Sequence, residues 1–274
     1  MPIYQPTELH AFLYSLNTFP KKGLSQNFLI DGNIVKKIID EAKISPFDTV
    51  LEIGPGPGAL TEMVLPIANQ VIAVEKDNLF AQHLSRFDPA GLKLKVMCQD
   101  ILDVDLSWLK QKIKVIGNLP YHITTPILIK FLSEYRDKVT SMTFMVQDEV
   151  AKRMIAPPKT ADYSSLTIFL NFYCDVSYAF KVNKNCFFPT PSVDSAIITL
   201  IPKTITGTID TDKFFEITRT AFQMRRKTLK KSLKSLYPEE KILKGLHDNG
   251  LNPLVRPEEL SVEQFIQLYQ SLQA

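Results

Sequence analysis

Long apolar runs are missing from this sequence. No stretch of about 18 apolar residues occurs, so no membrane-spanning helix is expected. Residues 1–19 lack a basic start and a long apolar centre, which argues against a secretory leader. Cysteine is scarce as well. Cys98, Cys174 and Cys186 are odd in number, far apart and without metal-ligand spacing, so neither a disulfide framework nor a zinc or other metal site is expected. Buried thiols in a reducing compartment, the cytoplasm, fit this pattern. Repeats and low-complexity tracts are absent too. The net charge of +3 does not announce a polyanion partner, so the distribution of Lys and Arg has to be read instead. What is present is 274 residues, 45% hydrophobic and 22% charged, the composition of a soluble globular protein with room for a large domain and a small one.

Chemistry concentrates at the ends of strand-like runs. Thr49 to Ile53 is β-rich and stops at Gly54-Pro55-Gly56-Pro57-Gly58, after which Ala59 to Leu65 reads as a helix. Glycines let the backbone approach a ligand, and a new helix offers free N–H groups to it. Gln70 to Val74 is a second strand ending at Glu75, whose carboxylate can accept both ribose hydroxyls of a nucleotide-like cofactor. A third, Leu94 to Met97, ends near Gln99-Asp100, where a carboxylate can hold the amino group of an adenine. The fourth, Lys114 to Gly117, delivers Asn118-Leu119-Pro120-Tyr121. Gly54, Gly56, Glu75, Asp100 and Asn118 thus fall at the carboxyl ends of successive strands, where open α/β sheets bind ligands.

The Asn118 turn has its own logic. Its side-chain amide both donates and accepts, Pro120 stiffens the backbone so that nearby carbonyls point one way, and Tyr121 offers a flat face. A planar substrate with an exocyclic amino group suits this set, and adenine is one. A plain β-turn opening a helix at Thr124-Thr125-Pro126 is the bland alternative. Gly54-x-Gly56-x-x-Ala59 also satisfies a loose dinucleotide pattern, so NAD competes until the Asn118 turn, for which a dehydrogenase has no use.

Elsewhere, Leu9, Phe12, Leu13 and Leu16 give an amphipathic lead-in helix, and Lys21 to Leu29 forms a loop that becomes a lid once a cofactor is argued. Met142 to Val146 is a fifth strand, residues 147–154 and 164–172 are helices, and Tyr173 to Phe180 and Val193 to Leu200 are closing strands. Between these lies a proline-stiffened loop in which Phe187 is either a stacking ring or core. Pro202 to Asp210 is a connector, which places a boundary between a catalytic domain, 1–203 with its lid 1–32, and a helical domain, 204–274. Beyond it Phe215, Phe222, Leu229 and Leu236 recur every seven residues. Arg219, Arg225, Arg226, Lys227, Lys230, Lys231 and Lys234 share that span without an acidic residue between 219 and 234, so a basic helix that seats a phosphate backbone is expected, against the alternative of a solvated face.

Taken together, Asn27-Phe28-Leu29, Glu52 through Gly58, Glu75-Lys76-Asp77, Gly117 through Tyr121, the Phe187 loop through Ser195, and Arg219 through Leu229 resemble the KsgA/RsmA family. These enzymes dimethylate two adjacent adenosines near the 3′ end of small-subunit ribosomal RNA. The resemblance runs from about Lys22 to the C-terminus. It implies a class I S-adenosylmethionine-dependent methyltransferase of α/β, Rossmann-like fold with a small all-α C-terminal domain. It further implies that Asn27 and Leu29 meet the cofactor from the lid, Gly54 its methionine portion, Glu75 its ribose and Asp100 its adenine, with Asn118 between cofactor and substrate. Leu119, Pro120, Tyr121 and Phe187 complete the catalytic set. The expected partner is the immature small ribosomal subunit, met by a monomer. Two positions depart from the family pattern: Ser25, where glycine usually precedes the Gln-Asn pair, and Gln99, where glycine or alanine precedes the aspartate. Rival readings are a DNA or protein methyltransferase, whose Asn-Pro-Pro-Tyr turn differs at Leu119; a resistance-type large-subunit rRNA methyltransferase; and an assembly factor whose methylation is incidental.

Overall fold

A computed structural model of the chain describes residues 2–205, 209–224 and 227–273, and of Lys22 and Tyr121 the backbone alone. In order the elements are α1 (Pro6–Ser15), β1 (Phe28–Leu29), α2 (Gly32–Ala42), β2 (Thr49–Ile53), α3 (Ala59–Val64), β3 (Gln70–Glu75), α4 (Asn78–His83), β4 (Leu94–Cys98), β5 (Ile113–Asn118), α5 (Thr124–Glu134), β6 (Val139–Gln147), α6 (Asp148–Met154), α7 (Ser165–Tyr173), β7 (Cys174–Val182), β8 (Phe187–Phe188), β9 (Ser195–Pro202), α8 (Thr211–Phe222), α9 (Leu229–Leu233), α10 (Glu239–Asp248) and α11 (Val262–Gln273).

Among the described residues, seven strands form one mixed sheet in the order β4-β3-β2-β5-β6-β9-β7. β4, β3, β2, β5 and β6 run parallel to their neighbours, and β9 pairs antiparallel with β6. β2 is buried along its whole length, as a strand covered on both faces must be, which is why it reads as an apolar run and not as an alternation. The chain leaves β2 toward β3 and β4 on one side and returns to β5 and β6 on the other. The loops after β2 and β5 therefore diverge, and open the crevice where such sheets take ligands.

Helix α2 shows how local sequence sets packing. Asp31 accepts hydrogen bonds from the amides of Asn33 and Ile34, capping the start, and Val35, Ile38, Ile39 and Ala42 place one apolar face inward. That face joins Val64, Val71, Ile116 and Ile197 in the core. A separate cluster, Leu9, Leu13, Phe28 and Phe80, fastens α1 to the body.

The chain divides into two compact units. One holds residues up to 151 and 177–202; the other holds 152–176 and everything from 203 onward. The expected single boundary near 203 misses the excursion of 152–176. Its physical cause is α7, whose Phe169, Phe172 and Tyr173 pack on Phe214 and Phe215 of α8, with Phe215 at ring-centroid distances of 4.9, 5.3 and 5.4 Å. The second unit's own core is Phe214, Leu229, Leu233, Ile242, Leu246, Phe265 and Leu268, all fully buried. The expected continuous basic helix is also corrected. α8 ends at Phe222, and α9 starts only at Leu229 after an extended Thr228 and ends at Leu233, so the seven-residue recurrence runs through two helices and the turn after them, where Leu236 lies.

One glycine lets β5 lie close against β2. Gly117 on β5 stands beside Ile53 on β2, and a Cβ there would meet the Ile53 carbonyl oxygen at 2.7 Å. Gly117→Ala is expected to lower unfolding free energy by about 1–3 kcal/mol, read from urea unfolding at an unchanged m-value.

Candidate active site

The crevice encloses about 180 Å³, and Asn27, Leu29, Gly54, Gly56, Glu75, Asp100, Asn118, Leu119 and Pro120 all line it. The glycine turn is built from positive backbone angles, φ 64° at Gly54, 54° at Gly56 and 97° at Gly58, which L side chains resist. Its amides are not free donors. The Gly54 N–H donates to the Val74 carbonyl and the Gly56 N–H to Glu75 Oε2, at 2.9 and 2.8 Å. What Gly54 contributes is space, since a Cβ on it would enter open crevice and touch nothing within 4 Å.

Glu75 is buried, with Oε2 on Gly56 and Oε1 accepting the Asp77 N–H at 2.7 Å. Burial raises its pKa above the ordinary carboxylate value, and these two amides only partly offset that. Each oxygen keeps a second lone pair for a hydroxyl. Asp100 is engaged differently. Burial opposes its ionisation, but Lys76, 2.8 Å from Oδ2, and the Leu102 amide on Oδ1 prevail and hold it below its ordinary value. Asn118 closes the crevice at the end of β5. Its Nδ2 donates to the Asn27 carbonyl at 3.0 Å, and since a carbonyl can only accept, the Asn118 Oδ1 must face the other way. The Pro120 carbonyl accepts from the Ile123 amide and the Thr124 hydroxyl, whereas among the described residues nothing donates to the Leu119 carbonyl.

Not every expected residue joins. Phe187 is core: it pairs with Leu29 across the β1–β8 ribbon and packs with Val35, Ile38 and Val182, so it offers no face to the crevice. The side chain of Tyr121, and Arg225 and Arg226 entirely, lie outside the described residues. Arg219 and Lys227 are exposed on the second unit. Lys230 is not free, because Glu239 on α10 accepts from it at 2.9 Å and pairs also with Lys234; the two cations hold the Glu239 carboxyl down at about 2.

The sequence reading assigned no contact to Glu52, which is 1% exposed and lines the crevice beside Gly54. Its Oε2 accepts from the Thr61 hydroxyl at 2.6 Å. Burial, with some help from the charge on Glu75, pushes its carboxyl up to about 7 against that hydrogen bond. The only sequence signal was an acid inside an otherwise apolar strand.

The model of the ribosomal RNA adenine dimethylase family matches residues 18–274. The chain belongs to that family. Among relatives of this dimethylase, the "Ribosomal RNA small subunit methyltransferase A" of Protochlamydia amoebophila is 53% identical over 99% of this chain and 98% of that one. The solved structure of a dimethyladenosine transferase from Plasmodium falciparum is similar over 88% of this chain and 95% of its own, at 30% identity and a TM-score of 0.78. The 23S rRNA methyltransferase ErmE is similar over 90% of this chain and 100% of its own, at 25% identity and a TM-score of 0.70. The dimethylase is therefore an S-adenosylmethionine-dependent rRNA adenine methyltransferase of α/β, Rossmann-like fold with a helical C-terminal region. Its residues fit that cofactor. Paired lone pairs on a buried Glu75 suit a ribose diol, the carboxylate of Asp100 an adenine amino group, and the open space at Gly54 an extended chain.

Glu52 couples the stability of the folded chain to pH. The folded chain keeps a proton that the unfolded chain releases near 4.5, so stability falls as pH rises from there through about 7. Glu52→Gln is expected to flatten that fall and to gain up to about 3 kcal/mol at pH 8, with little change at pH 4, measured by denaturant unfolding at both.

Proposed function

We propose that this crevice transfers two methyl groups to the N6 of each of two adjacent adenosines near the 3′ end of small-subunit rRNA. The observation that carries the reading is the Asn118 carboxamide, whose nitrogen is engaged by Asn27 and whose oxygen is thereby left as an acceptor at the crevice. The small-subunit target rests on the 53% identity, over 99% of this chain, to the small-subunit methyltransferase A of Protochlamydia amoebophila. The substrate is rRNA in the immature small subunit, met in the cytoplasm by a monomer. Among the described residues no helix is long and apolar enough to cross a membrane.

Bound S-adenosylmethionine supplies a methyl group on a sulfonium, and loss of that charge drives the transfer. The chain's part is orientation. An adenine N6 is a weak nucleophile because its lone pair is delocalised into the ring. Asn118 Oδ1 and the Leu119 carbonyl accept its two hydrogens, favouring a pyramidal nitrogen whose lone pair is free to attack in line. Asn27 and Leu29 on the lid and Gly54, Gly56, Glu75 and Asp100 on the sheet side of the crevice would hold the cofactor. Tyr121 stacks on the flipped base. Phe187 supports the lid ribbon instead of stacking. In the second unit Arg219, Arg225, Arg226 and Lys227 grip phosphates, and Lys230 does so only when Glu239 releases it.

Labelled S-adenosylmethionine with unmethylated small subunits is expected to yield N6,N6-dimethyladenosine near the 3′ end. Asn118→Ala should lower that transfer at least about a hundredfold with cofactor affinity within a few-fold; a variant of near-normal activity would overturn the reading. Glu239→Gln should strengthen rRNA binding several-fold at low salt and steepen the dependence of log affinity on log salt by about one for each cation freed. An unchanged slope in filter-binding titrations would remove Lys230 from the RNA surface.

A further inference from the structure

The lid is tied to the body by side chains to which the mechanism assigns no part. Asp77, 4% exposed, receives Lys21 Nζ at 3.0 Å on Oδ1 and 2.9 Å on Oδ2, and Gln26 Nε2 at 2.9 Å on Oδ2. Gln26 Oε1 in turn accepts the Lys21 backbone N–H at 2.8 Å, so both ends of that amide are committed. The next residue is Asn27, whose carbonyl fixes Asn118. On the other flank Ser25 Oγ lies 3.3 Å from His122 Nδ1, in the turn after Asn118. Ser25 holds φ at 51°, a conformation that favours glycine and that a serine adopts at a cost. The Asp77 amide closes the circuit by donating to Glu75.

We propose that Asp77, with Lys21 and Gln26, is a positioning group that sets the rotamer of the Asn118 carboxamide by fixing the Asn27 carbonyl. This rests on the reading of Asn118 as the N6 acceptor. The reasoning is one of donors and acceptors. An Asn side chain turned by 180° has nearly the same shape but presents N–H groups where the substrate also presents N–H groups. Among the described residues it is the Asn27 carbonyl that distinguishes the two states, and its place depends on the lid. Burying the Asp77 carboxylate is tolerable because a cation and two further donors, the Gln26 amide and the Leu79 N–H, satisfy it. The latch therefore acts on turnover, while the Glu75 contact made by the Asp77 backbone survives any side-chain change at 77.

Asp77→Asn keeps a good helix cap on α4 but places its own N–H₂ against the Lys21 and Gln26 donors. Lys21→Met removes the cation from a half-exposed position and serves even if Asp77→Asn folds poorly. Both are expected to lower kcat for methyl transfer at least about tenfold with cofactor dissociation constants within about threefold, and Lys21→Arg is expected to restore turnover. In Asn-labelled protein the Asn118 side-chain N–H₂ resonances, assigned by their loss in Asn118→Ala, should move toward solvent-exposed positions in both variants. Unchanged kcat with unmoved Asn118 resonances, while Asn118→Ala is inactive, overturns the latch alone. An active Asn118→Ala overturns the proposed function and the latch with it. A weaker cofactor affinity at unchanged kcat also overturns the latch and assigns Lys21 and Asp77 to cofactor retention.

Discussion

The buried carboxylate of Glu75 is the point on which the crevice depends. It holds the Gly56 amide with one oxygen and the Asp77 amide with the other, so the glycine turn after β2 and the start of α4 are fixed to the end of β3 by one side chain. Removing water from a carboxylate is costly, and two backbone amides are what make the burial tolerable. The cost is only partly offset, which is why its pKa stays high. A ligand with two hydroxyls would complete the coordination that these amides begin.

Charge is placed with similar economy in the second unit. Between residues 219 and 234 the sequence shows only cations, yet Glu239 folds back on Lys230 and Lys234 from the start of α10. Arg219, Lys227 and Lys231 by contrast are exposed. An exposed pair of this kind contributes little stability. Its consequence is for counterion release, since a lysine already paired releases fewer salt ions on meeting a phosphate.

The parallel strands and the crevice-lining residues at their ends were legible because they depend on local chemistry. Gly54, Glu75, Asp100 and Asn118 each follow an apolar run at the point where periodicity stops, and β2, β3, β4 and β5 carry them side by side. Phe187 was not legible for the opposite reason. Two adjacent phenylalanines on a strand point to opposite faces, and which one faces inward is decided by Phe28 and Leu29, far away in sequence, through the register of β1 with β8. The recurrence through Phe215, Phe222, Leu229 and Leu236 is compatible with one long helix and with two short ones, because periodicity does not see the extended Thr228 between them. Residues 152–176 were misassigned because an aromatic face on α7 gives no sign, in sequence, of which core it completes.

Among the described residues, the three carboxyl groups that line this crevice are each already engaged by a donor. Glu52 is committed to Thr61, Glu75 to two amides, and Asp100 to Lys76 and the Leu102 amide. No strong base is needed, because an N6 that has accepted a methyl cation is a far stronger acid than the parent amine and gives its proton to water. The barrier therefore lies in bringing the N6 lone pair out of conjugation and into line, a matter of geometry worth several kcal/mol when acceptors are fixed in advance. An asparagine serves that purpose only in one of its two orientations. In this chain the Nδ2 of Asn118 is held by the backbone carbonyl of Asn27, so the orientation of that carboxamide is coupled to the placement of the loop that bears Asn27.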